Sequence, residues 1–211
     1  MGVKGTGDRL LVLASSSPRR VALLRMLGLP FVQEPSRAEE PLGAQTGAPV
    51  DPVAWTLRQA LRKARDVASR HPDALVIGAD TVVVLGREVL GKPRDRSEAV
   101  AMLSKLAGRS HRVVSAVAVV DAASGREETG TRTTRVWMRS LRPEEIEAYV
   151  DTGEPMDKAG AYAIQGLGAT LVPRIDGCYF NVVGLPLALL ADLLSRFGVH
   201  WWSRPRQEVR P

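Results

Sequence analysis

The stretch ALVIGADTVVVL, Ala74 to Leu85, constrains this chain more than any other. β-Branched and apolar residues occupy both parities, which is the pattern of a strand buried on both faces. The sheet that holds it must therefore be covered above and below. Runs with helical spacing alternate with strand-like runs along the chain, so the expected class is α/β with a mixed sheet flanked by helices. Asp80 interrupts the middle of the strand. An unpaired buried carboxylate costs several kcal/mol, so Asp80 requires a partner such as a metal ion or a lysine. Gly86 then turns the chain, and EVLGKP brings Lys92 back soon afterwards.

Residues 9–14 read as another buried strand, followed by Ser17 as an N-cap and Pro18 at the first helical position. That helix runs to about Leu27, and Gly28 closes it. Phe31 to Gln33 is a short strand candidate, and Glu34 to Pro52 an exposed loop carrying the acidic pair Glu39-Glu40. Asp51 and Pro52 open a second helix with apolar positions at Val53, Leu57, Leu61, Ala64 and Ala68. A third is expected from Arg96 to Ala107, where Asp95 and Glu98 have capping-box spacing. Val113 to Asp121 and Arg132 to Leu141 predict a hairpin joined by AASGREETG. Pro143 opens another helix, DKAGAYAIQGLGA is glycine-rich, and Pro186 to Phe197 closes the fold. With 211 residues, 45% of them apolar, the chain has material for one domain over 1–211, or for two lobes sharing one sheet. The tail over 203–211 is expected to fray.

A net charge of +6 raises the prospect of a polyanionic partner. Aromatic residues are only 5% of the chain and do not interleave with the basic ones, which argues against nucleic acid, and a small polyanion explains the charge as well as a polymer does. Only five of the 29 basic residues are lysine, namely Lys4, Lys63, Lys92, Lys105 and Lys158, so a retained lysine points to a need for a compact charge. Cys178 is the single cysteine, which precludes an internal disulfide. No apolar run reaches the roughly 18 residues needed to span a bilayer, and a cytoplasmic, membrane-free protein is expected.

SSSPRR, Ser15 to Arg20, stands where the first strand becomes the first helix. A helix start presents unpaired N–H groups and the positive end of the dipole, and so favours an anion. Arg19 and Arg20 add charge, although the stretch read by itself favours a capped helix with two solvated arginines. Asp80, the Glu39-Glu40 pair and bound phosphates together would suit Mg²⁺, which takes few protein ligands.

Taken in order, ASSSPRR, Glu39-Glu40, Lys63, GADTVV (78–83), GKP (91–93), DKAGAYAIQG (157–166) and VVGLP (182–186) resemble the Maf family of nucleoside triphosphate pyrophosphatases, from about Leu10 to Phe197. The resemblance implies a mixed, elongated central sheet flanked by helices, like that of inosine triphosphate pyrophosphatase. It also implies cleavage between the α and β phosphates with a divalent metal, Mg²⁺ or Mn²⁺, in a possible homodimer. At Arg19 and Gln165 the chain resembles the branch of the family acting on dTTP and UTP. The alternatives are a 7-methyl-GTP branch and a non-enzymatic regulator of septum formation. Residue by residue, the family pattern implies Asp80 as proton acceptor and metal ligand with Glu40, and Arg19, Thr81 and Gln165 as specificity positions. Ser15, Ser17, Arg20, Lys63 and Lys92 would surround the triphosphate. Ser16 stands where relatives often carry glycine or threonine. For uracil or thymine, the Gln165 carbonyl would accept from N3–H while its NH₂ donates to O4.

Overall fold

The computed structural model describes residues 9–38 and 51–200. Glu39, Glu40 and the tail 203–211 lie outside them. Among the described residues the order of elements is β1 (Leu11–Leu13), α1 (Pro18–Arg25), β2 (Val32–Gln33), α2 (Pro52–Ala68), β3 (Leu75–Leu85), β4 (Glu88–Leu90) and α3 (Arg96–Leu106). There follow β5 (Ser110–Asp121), β6 (Glu127–Trp137), α4 (Pro143–Asp151), three short 3₁₀ turns between Glu154 and Leu171, β7 (Arg174–Asp176), α5 (Tyr179–Val183) and α6 (Leu187–Ser195). No helix among the described residues is long and apolar enough to cross a membrane.

The strands form one mixed sheet in the order β2-β1-β3-β5-β6-β7, with β4 also on β3. β1 runs parallel to β2 and β3, while β4 and β5 run antiparallel to β3. β5 lies along one edge of β3 from Leu75 to Val84. β1 and β4 must therefore share the other edge, β1 beside Leu75–Ile77 and β4 beside Val83–Leu85. Between them, Gly78 to Val82 has no strand neighbour on that side among the described residues. This gap puts the middle of β3 within reach of a ligand.

Alternation along β3 sorts its side chains between the faces. Leu75, Ile77 and Ala79 join α1 and α6 in one apolar layer with Leu24, Leu190 and Leu194. Val76 joins α2 on the opposite face through Ala60, Ala64 and Val67. Farther along, Val83 packs with α3 and α4 through Leu103, Leu106 and Ile146. Both faces are covered, as the apolar run required.

Local signals explain the helix ends. The Ser17 side chain accepts from the Arg20 N–H and Pro18 occupies the first turn, while Asp51 accepts from Val53 N and Pro52 follows it. The hairpin differs from expectation, because β6 begins at Glu127 and GREETG contributes to a strand. Asp121 accepts from the Ala123 and Ser124 N–H groups, and Gly125 adopts φ +72°, so the reversal closes early. Glu127 and Glu128 look unlike strand residues, yet Arg65 pairs with the first and Arg126 and Arg196 with the second. Helix α5, within GCYFNVVGLP, was also not foreseen.

Candidate active site

A cleft of about 420 Å³ opens at the gap beside β3, within the size range of small-molecule sites. Helix α1 presents its N-terminus there through Ser17, Pro18 and Arg19. The Ser15 hydroxyl accepts from Ser17 N at 3.2 Å, which sets the turn into the helix. The floor is β3 from Asp80 to Val83, and the walls come from α2, the Gly91-Lys92 turn and residues 157–165. Among the described lining residues, five cationic side chains (Arg19, Arg20, Lys63, Lys92 and Lys158) face two carboxylates, Asp80 and Asp157. That balance favours a polyanionic occupant.

Asp80 finds its partner in Lys63. The ammonium of α2 donates to Asp80 Oδ1 at 2.7 Å, and the two side chains are 12% and 14% exposed. The pair is brought together by the seating of α2 on β3. Gly78 faces the helix so closely that a Cβ there would lie 2.2 Å from the Ala60 carbonyl oxygen. Asp80 Oδ2 accepts no hydrogen bond from a described residue, so one carboxylate oxygen is available to a cation or a water. No group of three or more His, Cys, Asp or Glu occurs among the described residues in a metal-holding arrangement. A single carboxylate oxygen with neighbouring phosphates still suits Mg²⁺, whose remaining ligands are water and phosphate. Glu40, the other expected ligand, lies outside the described residues.

Thr81 points to the opposite face from Asp80 and enters a hydrogen-bonded chain. Its hydroxyl lies 2.9 Å from Ser115 Oγ and accepts from Arg20 Nη2 at 3.2 Å. Ser115 donates to the Asn181 carbonyl, and the Asn181 amide donates to Val113 O and Thr134 Oγ1. Arg20, expected at a phosphate, also donates from Nη1 to Ala79 O at 2.8 Å and from Nε to Gly184 O at 2.9 Å. It thereby satisfies a carbonyl of β3 in the stretch where no described strand pairs on the side opposite β5, and staples α1 to β3 and to the turn after α5.

Arg19 donates to Asp157 Oδ2 at 2.8 Å, and Lys158 donates to Asp157 Oδ1 and Glu154 O, both at 2.5 Å. Burial works against the Asp157 charge, but Lys158 and Arg19 outweigh it and hold that carboxyl below the usual range. Lys92 and Gln165 are exposed where they line the cleft. All the expected site residues among those described thus line one cleft. Asp157, Lys158, Tyr162 and the α2 residues Trp55 and Gln59 line it too, although the sequence reading assigned them no role. Lys158 had a usable signal, being one of five lysines and inside DKAGAYAIQG. Trp55 and Gln59 had none beyond helical spacing.

A mixed sheet flanked by helices, with a cationic cleft at the gap beside β3 floored by a lysine-paired aspartate, defines an anion-receiving protein. The chain belongs to the Maf family, since the family model described as Maf-like protein matches residues 10–197. Among its relatives, the dTTP/UTP pyrophosphatase of Moorella thermoacetica is 54% identical over 194 residues, covering 92% of this chain and 98% of that protein. That of Pelotomaculum thermopropionicum is 54% identical over 89% of this chain and 96% of its own length. That of Desulforamulus reducens is 50% identical over 90% and 98%.

Proposed function

We propose that this chain hydrolyses dTTP and UTP to the nucleoside monophosphate and pyrophosphate. The observation that carries the reading is the Lys63-paired Asp80 on the floor of a cationic cleft. The choice of nucleotide rests on near-full-length relatives that are each named dTTP/UTP pyrophosphatase.

In this reading the triphosphate sits against the N-terminus of α1, with the Ser15 and Ser17 hydroxyls, Lys63 and Lys92 around it. Arg20 holds the frame of that seat through Ala79 and Gly184. Asp80, together with Glu40, would hold a divalent cation, Mg²⁺ or Mn²⁺, which supplies charge neutralisation across the phosphates. Asp80 orients the attacking water and receives its proton at the carboxylate. The new bond forms between the water oxygen and the α phosphorus, and the bond from the α phosphorus to the α-β bridging oxygen breaks. The electron pair leaves with pyrophosphate, whose developing charge Lys92 and Lys63 offset. Gln165 reads the O4 and N3–H edge of the pyrimidine, with Arg19 and Thr81 completing the selection.

The test is pyrophosphate release from a panel of dTTP, UTP, CTP, GTP and 7-methyl-GTP, with Mg²⁺ or Mn²⁺. Turnover led by dTTP and UTP is the expected result. Preference for 7-methyl-GTP would move the chain to another branch of the family, and no turnover of any nucleotide would favour a regulatory binding protein.

A further inference from the structure

The segment that carries Gln165 contains no α-helix and no strand. It runs through the 3₁₀ turns Ala159–Ala161 and Gly166–Leu171, and Gln165 is the exposed residue between them. A side chain that reads a base edge needs a fixed backbone beneath it. Here that backbone is fixed by two side chains from outside the segment. Glu154 Oε2 accepts from Leu167 N at 3.1 Å, and Oε1 accepts from Gly168 N at 2.9 Å. The Tyr149 hydroxyl donates to Glu154 Oε1 at 2.8 Å and accepts from Ala163 N at 3.1 Å. Gln165 is thus bracketed, with the amide two residues before it and the two amides that follow Gly166 all held by one Glu154-Tyr149 unit.

The glycines of the loop fit this unit closely. A Cβ on Gly166 would meet Glu154 Oε2 at 2.5 Å, and one on Gly168 would meet Tyr149 Oη at 2.5 Å. Tyr149 is 7% exposed, so the unit is anchored in the packing of α4. Burial works against the Glu154 charge, but the Gly168 N–H, the Tyr149 hydroxyl and the Leu167 N–H outweigh it and keep the carboxyl below its usual range. The same turn sends Asp157 to Arg19, a second specificity position.

We propose that Glu154 is a positioning residue for base selection, holding the peptide on either side of Gln165 in the one register that meets a uracil or thymine edge. The proposal rests on the pyrimidine reading given above and names the device behind it. Glu154 touches no substrate; it acts through Gln165. Glu154→Gln keeps the shape and removes the charge, and places an NH₂ where one of the two loop amides now finds an acceptor.

The experiment measures kcat and KM of wild type and Glu154→Gln on UTP, dTTP and CTP. The expected result is a loss of about tenfold in kcat/KM for UTP and dTTP, carried mainly by KM, with CTP changed by no more than about twofold, the scale of one charge-assisted hydrogen bond. The UTP-to-CTP ratio should fall accordingly. In a Gln165→Ala background the same substitution should leave that ratio where Gln165→Ala put it, because the two act on one contact. Should Glu154→Gln fail to fold, Tyr149→Phe, which removes the hydroxyl shared by Glu154 and Ala163, is expected to lower the ratio in the same direction. An equal loss on all three nucleotides, or a ratio effect that persists without Gln165, overturns the proposal while leaving the pyrimidine reading in place. A wild type that turns over neither UTP nor dTTP overturns both.

Discussion

Gly78→Ala tests whether the close approach of α2 to β3 builds the site. The added methyl would lie 2.2 Å from the Ala60 carbonyl oxygen and 2.9 Å from both the amide nitrogen and the Cβ of Ala64. Ordinary contact begins at 3.4 Å, so the shortfall against Ala60 exceeds an ångström. No rotamer relieves it, because the nearest atom is helix backbone. Overpacking of this kind costs about 3 kcal/mol at the upper end of its usual range. The stiffer unfolded chain of the alanine variant returns roughly 0.4–1 kcal/mol, leaving a net loss of about 2 kcal/mol. For a protein of this size the midpoint of thermal unfolding should drop by about 4–8 °C.

The functional consequence is sharper. Lys63 rides on the displaced helix, 2.7 Å from Asp80. A retreat of about 1 Å takes the ammonium out of hydrogen-bond reach, and misplacement on that scale costs about a hundredfold in rate. Urea denaturation and pyrophosphate release from dTTP, measured well below the melting midpoint, report the two effects separately. Gly91→Ala is the control for stability, since its Cβ would meet nothing within 4 Å and its φ is not positive. A Gly78→Ala variant with an unchanged midpoint and kcat/KM within twofold of wild type would refute the argument that this contact sets the Lys63-Asp80 geometry.

Asp80→Asn should abolish pyrophosphate release and remove the ion pair with Lys63; retention of a tenth of wild-type activity would make Asp80 a structural aspartate. His111 is 3% exposed, lies 2.7 Å from the Tyr162 hydroxyl through Nε2, and is pushed down to about 4 by burial. Its unfolded form protonates near 6.5, so the unfolded state gains protons first as the pH falls. Stability should therefore be intact above about pH 6.5 and decline by about 3 kcal/mol towards pH 4. In His111→Gln that component of the pH profile should vanish, and a slope identical to wild type between pH 6.5 and 4 would sink the assignment.

Much of this architecture was legible because its causes are local. Ser17-Pro18 and Asp51-Pro52 announce helix starts through hydroxyl or carboxylate caps and a fixed proline φ, and both helices begin there. The hairpin was misplaced for an equally physical reason. Glu127 and Glu128 read as turn residues until Arg65 and Arg196 arrive from elsewhere in the fold to pair with them, beside the neighbouring Arg126. Arg20 shows the same limit. Its position at a helix start points to an anion, whereas its guanidinium also closes the Ala79 carbonyl beside the gap in the sheet and the Gly184 carbonyl in the turn after α5.

What the sequence by itself determined was the demand. An aspartate in a strand apolar on both parities must be paired. It did not choose between lysine and metal as the partner, nor show that the strand has an open edge. Those were decided by the pairing of β1 and β4 on the same side of β3 and by the seating of α2 against Gly78. Periodicity and caps are encoded by neighbours a few residues apart, whereas the Lys63-Asp80 distance depends on the register between a helix and a sheet, which exists only once both are packed.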